Sequence, residues 1–139
     1  MYEISQNTVN RLIAECGFSK DLAIVYVRAN GRCEYCGADL LMSRQGYAIA
    51  EIDHLLPKSK YPEYSTNINN LVLSCRTCNG IKRNENILCS GELPDLVTDQ
   101  GKRSELIQRS RNFISKKMGQ YDETWRKATE ILHEVWWRK

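Results

Sequence analysis

The chain has 139 residues, with 20 Lys+Arg against 17 Asp+Glu, six Cys and three Pro. That length fits one domain, or one domain with a helical appendage, and leaves little room for two. At 42% hydrophobic and 27% charged residues the composition is that of a folded globular protein, not a disordered one. No apolar run approaches the roughly 18 residues of a membrane span, so a transmembrane protein is not expected.

The polar start, Met1 to Asn10, has no basic segment followed by an apolar stretch, so no secretory signal is expected in the chain as given. The six Cys are then read as cytoplasmic thiols, not secreted disulfides. One or two helices are predicted next, over residues 5–29. Ser5 can cap a helix with Val9, Leu12, Ile13 and Cys16 on one face, ended by Gly17. Ser19 can cap a second, Lys20 to Ala29, stopped by Asn30-Gly31.

Four of the six Cys form two pairs, Cys33-Glu34-Tyr35-Cys36 and Cys75-Arg76-Thr77-Cys78. A C-x-x-C puts two sulfurs on one turn, where they hold two corners of a tetrahedron. Two such turns close a four-cysteine zinc site. The 38 residues between the pairs exceed a simple zinc ribbon, so a structured insert is expected there. A thioredoxin-like redox pair is the competing reading of one C-x-x-C, but two pairs outside a βαβ pattern favour metal. Cys16 and Cys89 lack such partners and are expected to be buried as small apolar residues.

Between the knuckles, Ala48 to Asp53 reads as a short strand with Gly46 as the turn before it. Pro57 and Pro62 bracket a polar loop. Leu71-Val72-Leu73 is a second strand entering Cys75, and Asn79 to Asn86 suits a short helix. A packed hairpin and helix would bring Asp53, His54 and Asn79 together. A carboxylate and an amide oxygen suit a hard cation such as Mg2+, and an adjacent imidazole can take a proton from water. Asn79 also suits a helix N-cap, Asp53 could merely end the strand, and His54 could be a structural or core histidine.

Glu51-Ile52-Asp53-His54, Asn70-Leu71-Val72-Leu73-Ser74-Cys75 and Cys78-Asn79-Gly80-Ile81-Lys82 together resemble the HNH endonuclease family, whose core is a ββα-metal finger. The resemblance covers Gly31 to Asn86, about 40% of the chain. It implies an α+β fold in which two zinc knuckles frame the finger and helices flank it. It implies His54 as the general base, Asp53 and Asn79 as ligands of a catalytic divalent metal (Mg2+ or another), and Asn70 as the residue that fixes the loop around His54. The cysteines Cys33, Cys36, Cys75 and Cys78 would hold structural Zn2+. Glu51, two residues from Asp53 on the same strand face, would assist the metal or its water shell. Lys58, Lys60, Arg76, Lys82 and Arg83 are expected at the phosphate backbone of nucleic acid, with DNA the expected polymer. The Gly-Gly often found in the family's loop is replaced by Tyr61-Pro62-Glu63-Tyr64. The implied reaction is phosphodiester hydrolysis leaving a 5′-phosphate and a 3′-hydroxyl.

Residues 87–101, with Gly91, Pro94 and Gly101, read as a linker. From Lys102 onward the apolar spacing is helical, with a break or bend expected at Gly119. The boundary drawn is residues 1–100 as nuclease core with N-terminal helices and 101–139 as a helical extension. The extension carries ten Lys+Arg and five Asp+Glu, against ten and twelve in the rest. Its basic helix could contact nucleic acid, pack on the core, or pair with a second copy. His133 lies in this helix and reads as a surface or packing residue. Two other function classes fit the sequence: a non-catalytic zinc module binding nucleic acid or protein, and a nuclease toxin or phage-defence effector that needs an activating partner.

Overall fold

The structure, a computed structural model, describes residues 5–137. The beginning of the polar start and the last two basic residues lie outside them. It is an α+β fold: α1 (Gln6–Cys16), α2 (Lys20–Ala29), α3 (Arg44–Ala48), β1 (Ala50–His54), β2 (Leu71–Cys75), α4 (Arg76–Lys82) and α5 (Gln100–Trp137). Three short 3-10 segments lie at Pro62–Tyr64, Ile68–Asn70 and Pro94–Thr98. No helix among the described residues is long and apolar enough to cross a membrane.

The first two helices begin and end where their caps dictate. Ser5 accepts from the Thr8 N–H and Ser19 from the Leu22 N–H, and Gly17 and Asn30 end the helices in the left-handed conformation. Burial differs from expectation in α1. Val9 alone is fully buried there, and Cys16 is exposed because α1 packs chiefly on α2. Cys89 is likewise exposed, on the surface loop between α4 and α5. Neither thiol fills the apolar role expected for it.

β1 and β2 pair antiparallel, with Ile52 opposite Leu73 and Asp53 opposite Val72. The first strand starts two residues later than predicted, because Arg44–Ala48 closes into a helical turn capped by Ser43. The helix after the second knuckle starts earlier than predicted, at Arg76, since the Cys75 sulfur accepts from the Cys78 N–H and so caps it. It stops at Lys82, where Arg83 turns to a positive φ of 47°.

A two-stranded ribbon is marginal in water, and here it is enclosed. β2 is buried along its whole length, with Val72, Leu73 and Ser74 at 0% exposure. α2 packs on it, α4 folds back against both strands, and α5 packs on α4. The core joins Val25 and Tyr26 of α2, Leu55, Leu56, Leu71, Val72 and Leu73 around the ribbon, and Leu106, Ile107 and Ile114 of α5.

α5 runs unbroken through Gly119, contrary to the bend expected there. Gly119 keeps ordinary helical φ, and one glycine inside a helix costs only about 1 kcal/mol relative to alanine. The first half of α5 is rooted in the core by Arg103, which is 7% exposed. Its guanidinium donates to the Asn69 carbonyl at 2.8 Å, the Leu71 carbonyl at 3.2 Å and Glu34 at 3.2 Å. Arg103→Met keeps the stem but strands these acceptors in the interior. It should lower stability by about 3 kcal/mol, read as a fall in the urea midpoint with an unchanged slope.

Candidate nuclease site and metal cage

The four paired cysteines come together at the base of the ribbon. Each of their sulfurs lies within 4.8 Å of the others, and Cys36 and Cys75 are 3.9 Å apart across the two knuckles. A tetrahedral zinc with bonds of about 2.3 Å sets its sulfurs roughly 3.8 Å apart, close to the Cys36–Cys75 separation, so the four sulfurs are positioned to take up such an ion. Each knuckle shows the same local turn: the Cys36 N–H donates to the Cys33 sulfur at 3.5 Å and the Cys78 N–H to the Cys75 sulfur at 3.4 Å. Gly37, at φ 78°, lets the first turn close, and the Cys33 N–H then reaches the Ala38 carbonyl at 2.9 Å.

The crowded thiols polarise one another. Contacts from Cys36 first, then Cys75 and Cys78, hold the Cys33 thiol below its ordinary range. Contacts from Cys33 first, then Cys36 and Cys75, drive the Cys78 thiol upward. A dication would replace these shared protons and let all four sulfurs ionise.

The first knuckle also carries two residues that grip the ribbon. Glu34 exchanges two bonds with Leu73, from its own N–H to the Leu73 carbonyl and from the Leu73 N–H to its carboxylate, each at 2.8 Å. Tyr35, buried, donates its hydroxyl to Asp53 Oδ2 at 2.6 Å. Neither contact was expected from the sequence. The available signal for Tyr35 was an aromatic with a hydroxyl placed between two clustered cysteines.

β1 and α4 face each other as a ladder. Alternation puts Glu51 and Asp53 on one face of the strand, and Arg76, Asn79 and Lys82 recur every three residues along the helix. Asn79 donates its amide nitrogen to Glu51 Oε2 at 2.6 Å, and Arg76 donates to Glu51 Oε1 at 3.0 Å. These two contacts, Asn79 first, lower the Glu51 carboxyl below its usual value. One step along, Lys82 Nζ lies 3.2 Å from Asp53 Oδ2 and donates to the His54 carbonyl at 2.9 Å.

Lys82 therefore does not reach outward to a phosphate backbone as expected. It is 1% exposed, and its burial lowers its ammonium pKa against the raising effect of Asp53. The reason is geometric: it falls one turn after Asn79, on the helix face that packs against β1. Lys58, Lys60, Arg76 and Arg83 are exposed.

His54 ends β1, half-buried, with Nε2 2.9 Å from the Ser65 carbonyl. A carbonyl only accepts, so Nε2 carries the proton and the neutral ring leaves Nδ1 as its acceptor. Asn70, at 0% exposure, holds the loop that brings Ser65 there. Its side chain accepts from the Leu56 N–H at 2.7 Å and donates to the Leu56 and Tyr64 carbonyls, each at 3.1 Å. Its own carbonyl accepts from the Leu55 N–H at 2.8 Å. The structure thus joins Asn70 to the His54 loop, Asn79 to Glu51, and Asp53 to Tyr35 and Lys82.

Residues 33–85 match the model of the HNH endonuclease family, and this segment is an HNH endonuclease domain. The Septu protein PtuB of Bacillus thuringiensis is 39% identical over 54 residues, 39% of this chain and 20% of that protein. The chain thus spans about a fifth of the length of that relative. No solved structure matches the chain.

The cage makes a direct prediction. The purified protein should carry one zinc per chain by elemental analysis, and Cys75→Ser should abolish that stoichiometry and lower the melting temperature by more than 10 °C. Because every thiol must lose its proton to bind, chelators should strip the metal more readily as pH falls from 8 to about 6.

Proposed function

We propose that this chain is a divalent-metal-dependent endonuclease that hydrolyses phosphodiester bonds of nucleic acid, with DNA the favoured substrate and His54 the general base. The observation that carries the reading is the His54–Ser65 contact. It favours the tautomer in which Nδ1 can accept a proton from water, and His54 is only half-buried, unlike a histidine that serves the core. As the ring takes the proton, the Nε2–H bond to the Ser65 carbonyl becomes charge-assisted and stabilises the imidazolium.

Zinc bound by Cys33, Cys36, Cys75 and Cys78 is structural, since four sulfurs leave no open position. Asp53 and Asn79 are the residues proposed to hold a catalytic Mg2+ or similar hard cation. The donor chemistry fits. Asn79 spends its amide nitrogen on Glu51, which leaves its oxygen as the available donor atom. Asp53 uses Oδ2 for Tyr35 and Lys82, and no hydrogen bond to its Oδ1 is found among the described residues. When bound, such a cation would supply charge stabilisation at the scissile phosphate. Tyr35 and Lys82 keep the Asp53 carboxylate ordered, and Glu51 keeps the Asn79 amide in one orientation. Lys58, Lys60 and Arg83 offer the exposed positive charge for backbone contact, and Arg76 shares its charge with Glu51.

The test is plasmid nicking under Mg2+, Mn2+ and Ni2+. His54→Ala should lower the nicking rate by at least 100-fold with zinc content and melting temperature unchanged. Intact plasmid with wild-type protein under all three metals, on single- and double-stranded substrates, would leave a non-catalytic zinc module as the reading. Asn79→Ala should raise the metal concentration for half-maximal nicking by about 10- to 100-fold, a shift that His54→Ala does not produce.

The match to the Septu protein PtuB favours a second, narrower reading, in which the nuclease is a phage-defence effector acting with a protein partner. Growth arrest on expression together with such a partner, relieved by His54→Ala, is its expected signature.

A further inference from the structure

The buried stripe of α5 does not end where the core ends. Arg103, Leu106, Ile107, Ser110 and Ile114 are buried, and Met118 packs against the core. The same stripe continues beyond the body as Tyr121, Trp125, Ala128, Leu132 and Val135, at alternating spacings of three and four residues. That is the spacing of a coiled-coil seam, not of a solvated helix face. Yet the seam is open: Tyr121 is 69% and Trp125 65% exposed, Leu132 and Val135 are also exposed, and Trp136 at its edge is 61% exposed. Large exposed apolar stripes of this kind mark interaction surfaces.

We propose that two copies of this chain pair through residues 118–136 of α5, antiparallel, with each helix covering the other's seam. The direction follows from the position of the body. From Arg103 to Met118 the seam side of α5 is occupied by its own core. In a parallel pair both bodies would have to fit between helices only about 8–10 Å apart. In an antiparallel pair each body lies at the far end of its partner's helix, and the partner's tail continues the surface on which α5 already packs.

The register follows from side-chain size. Aligning Trp125 with Ala128 of the second copy sets the largest seam residue against the smallest, twice over by symmetry. The same alignment sets Tyr121 against Leu132 and Met118 against Val135, so no layer is polar. The paired stretch is about 27 Å long at 1.5 Å per residue. Its three exposed aromatics alone offer on the order of 400 Å² per copy. With the aliphatic residues added, the total clears the roughly 1,000 Å² expected of a specific interface. The inference does not rest on the nuclease reading, since it uses no residue of that site.

Light scattering on the full chain at tens of micromolar should give twice the 16.1 kDa chain mass, and Trp125→Asp should return it to one chain with its zinc retained. Direction is read by oxidation in a Cys16→Ser, Cys89→Ser background. Tyr121→Cys mixed with Leu132→Cys should form a crosslinked pair, while neither variant alone crosslinks to itself. A wild-type chain that stays at single mass up to about 100 µM overturns the proposal, as does a seam filled only by a different protein. Self-crosslinking of Tyr121→Cys alone overturns the antiparallel arrangement.

Discussion

The outer edge of β2 is the constraint on which the rest of the structure depends. A ribbon of two strands leaves one edge of each without a ladder partner, and β2 is fully buried, so water cannot supply the missing bonds. Glu34 supplies them instead, acting with backbone and side chain as a surrogate third strand at Leu73. At Leu71 the carbonyl takes bonds from Arg28 and Arg103, and both guanidiniums also approach Glu34. Burial and the nearby Arg103 depress the Arg28 pKa to about 10, well short of discharging it at neutral pH. The knuckle, α2 and α5 are thus tied to one strand through one carboxylate.

That tie explains how a metal held by the four cysteines at the base of the ribbon would bear on the candidate site along it. Glu34 and Tyr35 lie between the first pair of cysteines. Fixing those two sulfurs fixes the phase of both side chains, one onto β2 and one onto Asp53 of β1. The second knuckle acts through the helix it starts. Capping at Cys75 sets the rotation of α4, and rotation decides that Asn79 meets Glu51 while Lys82 enters the interior beneath Asp53. A one-residue slip of either knuckle would misplace an entire face. Lys82 also sets an electrostatic threshold at Asp53. Its buried charge already neutralises the carboxylate, so a divalent cation held there would share that carboxylate with an ammonium rather than compensate a bare charge.

The parts legible in the sequence were those encoded by short spacing. Paired cysteines, Ser caps before Gly or Asn stops, and Asp53-His54 at the end of an alternating run each act within a few residues. Their outlines, the α+β class and the HNH resemblance could therefore be read directly. Lys82 could not, because a lysine near the end of a short helix reads as surface unless the helix phase and its packing partner are known. Glu34 and Arg103 are 69 residues apart in sequence at their contact, and charged residues carry no mark of burial by themselves. Cys16 and Cys89 failed in the opposite direction: a general preference of free cysteine for the interior was outweighed by where their elements lie. Gly119 looked like a break because propensity was weighed locally, whereas α5 gains its stability from the packed half before it.

α5 is one continuous helix from the core to Trp137. Arg103 and Arg111 bind the first knuckle from this helix, Arg111 through the Glu34 carbonyl at 2.8 Å, and α4 packs on its flank. Its first half is therefore part of the support of the candidate site, and its second half is a rigid extension of that support. A flexible link at Gly119 would have let the apolar seam fold back and hide. An unbroken helix holds the seam away from the body, where the chain's own core cannot reach it and only a second surface can cover it.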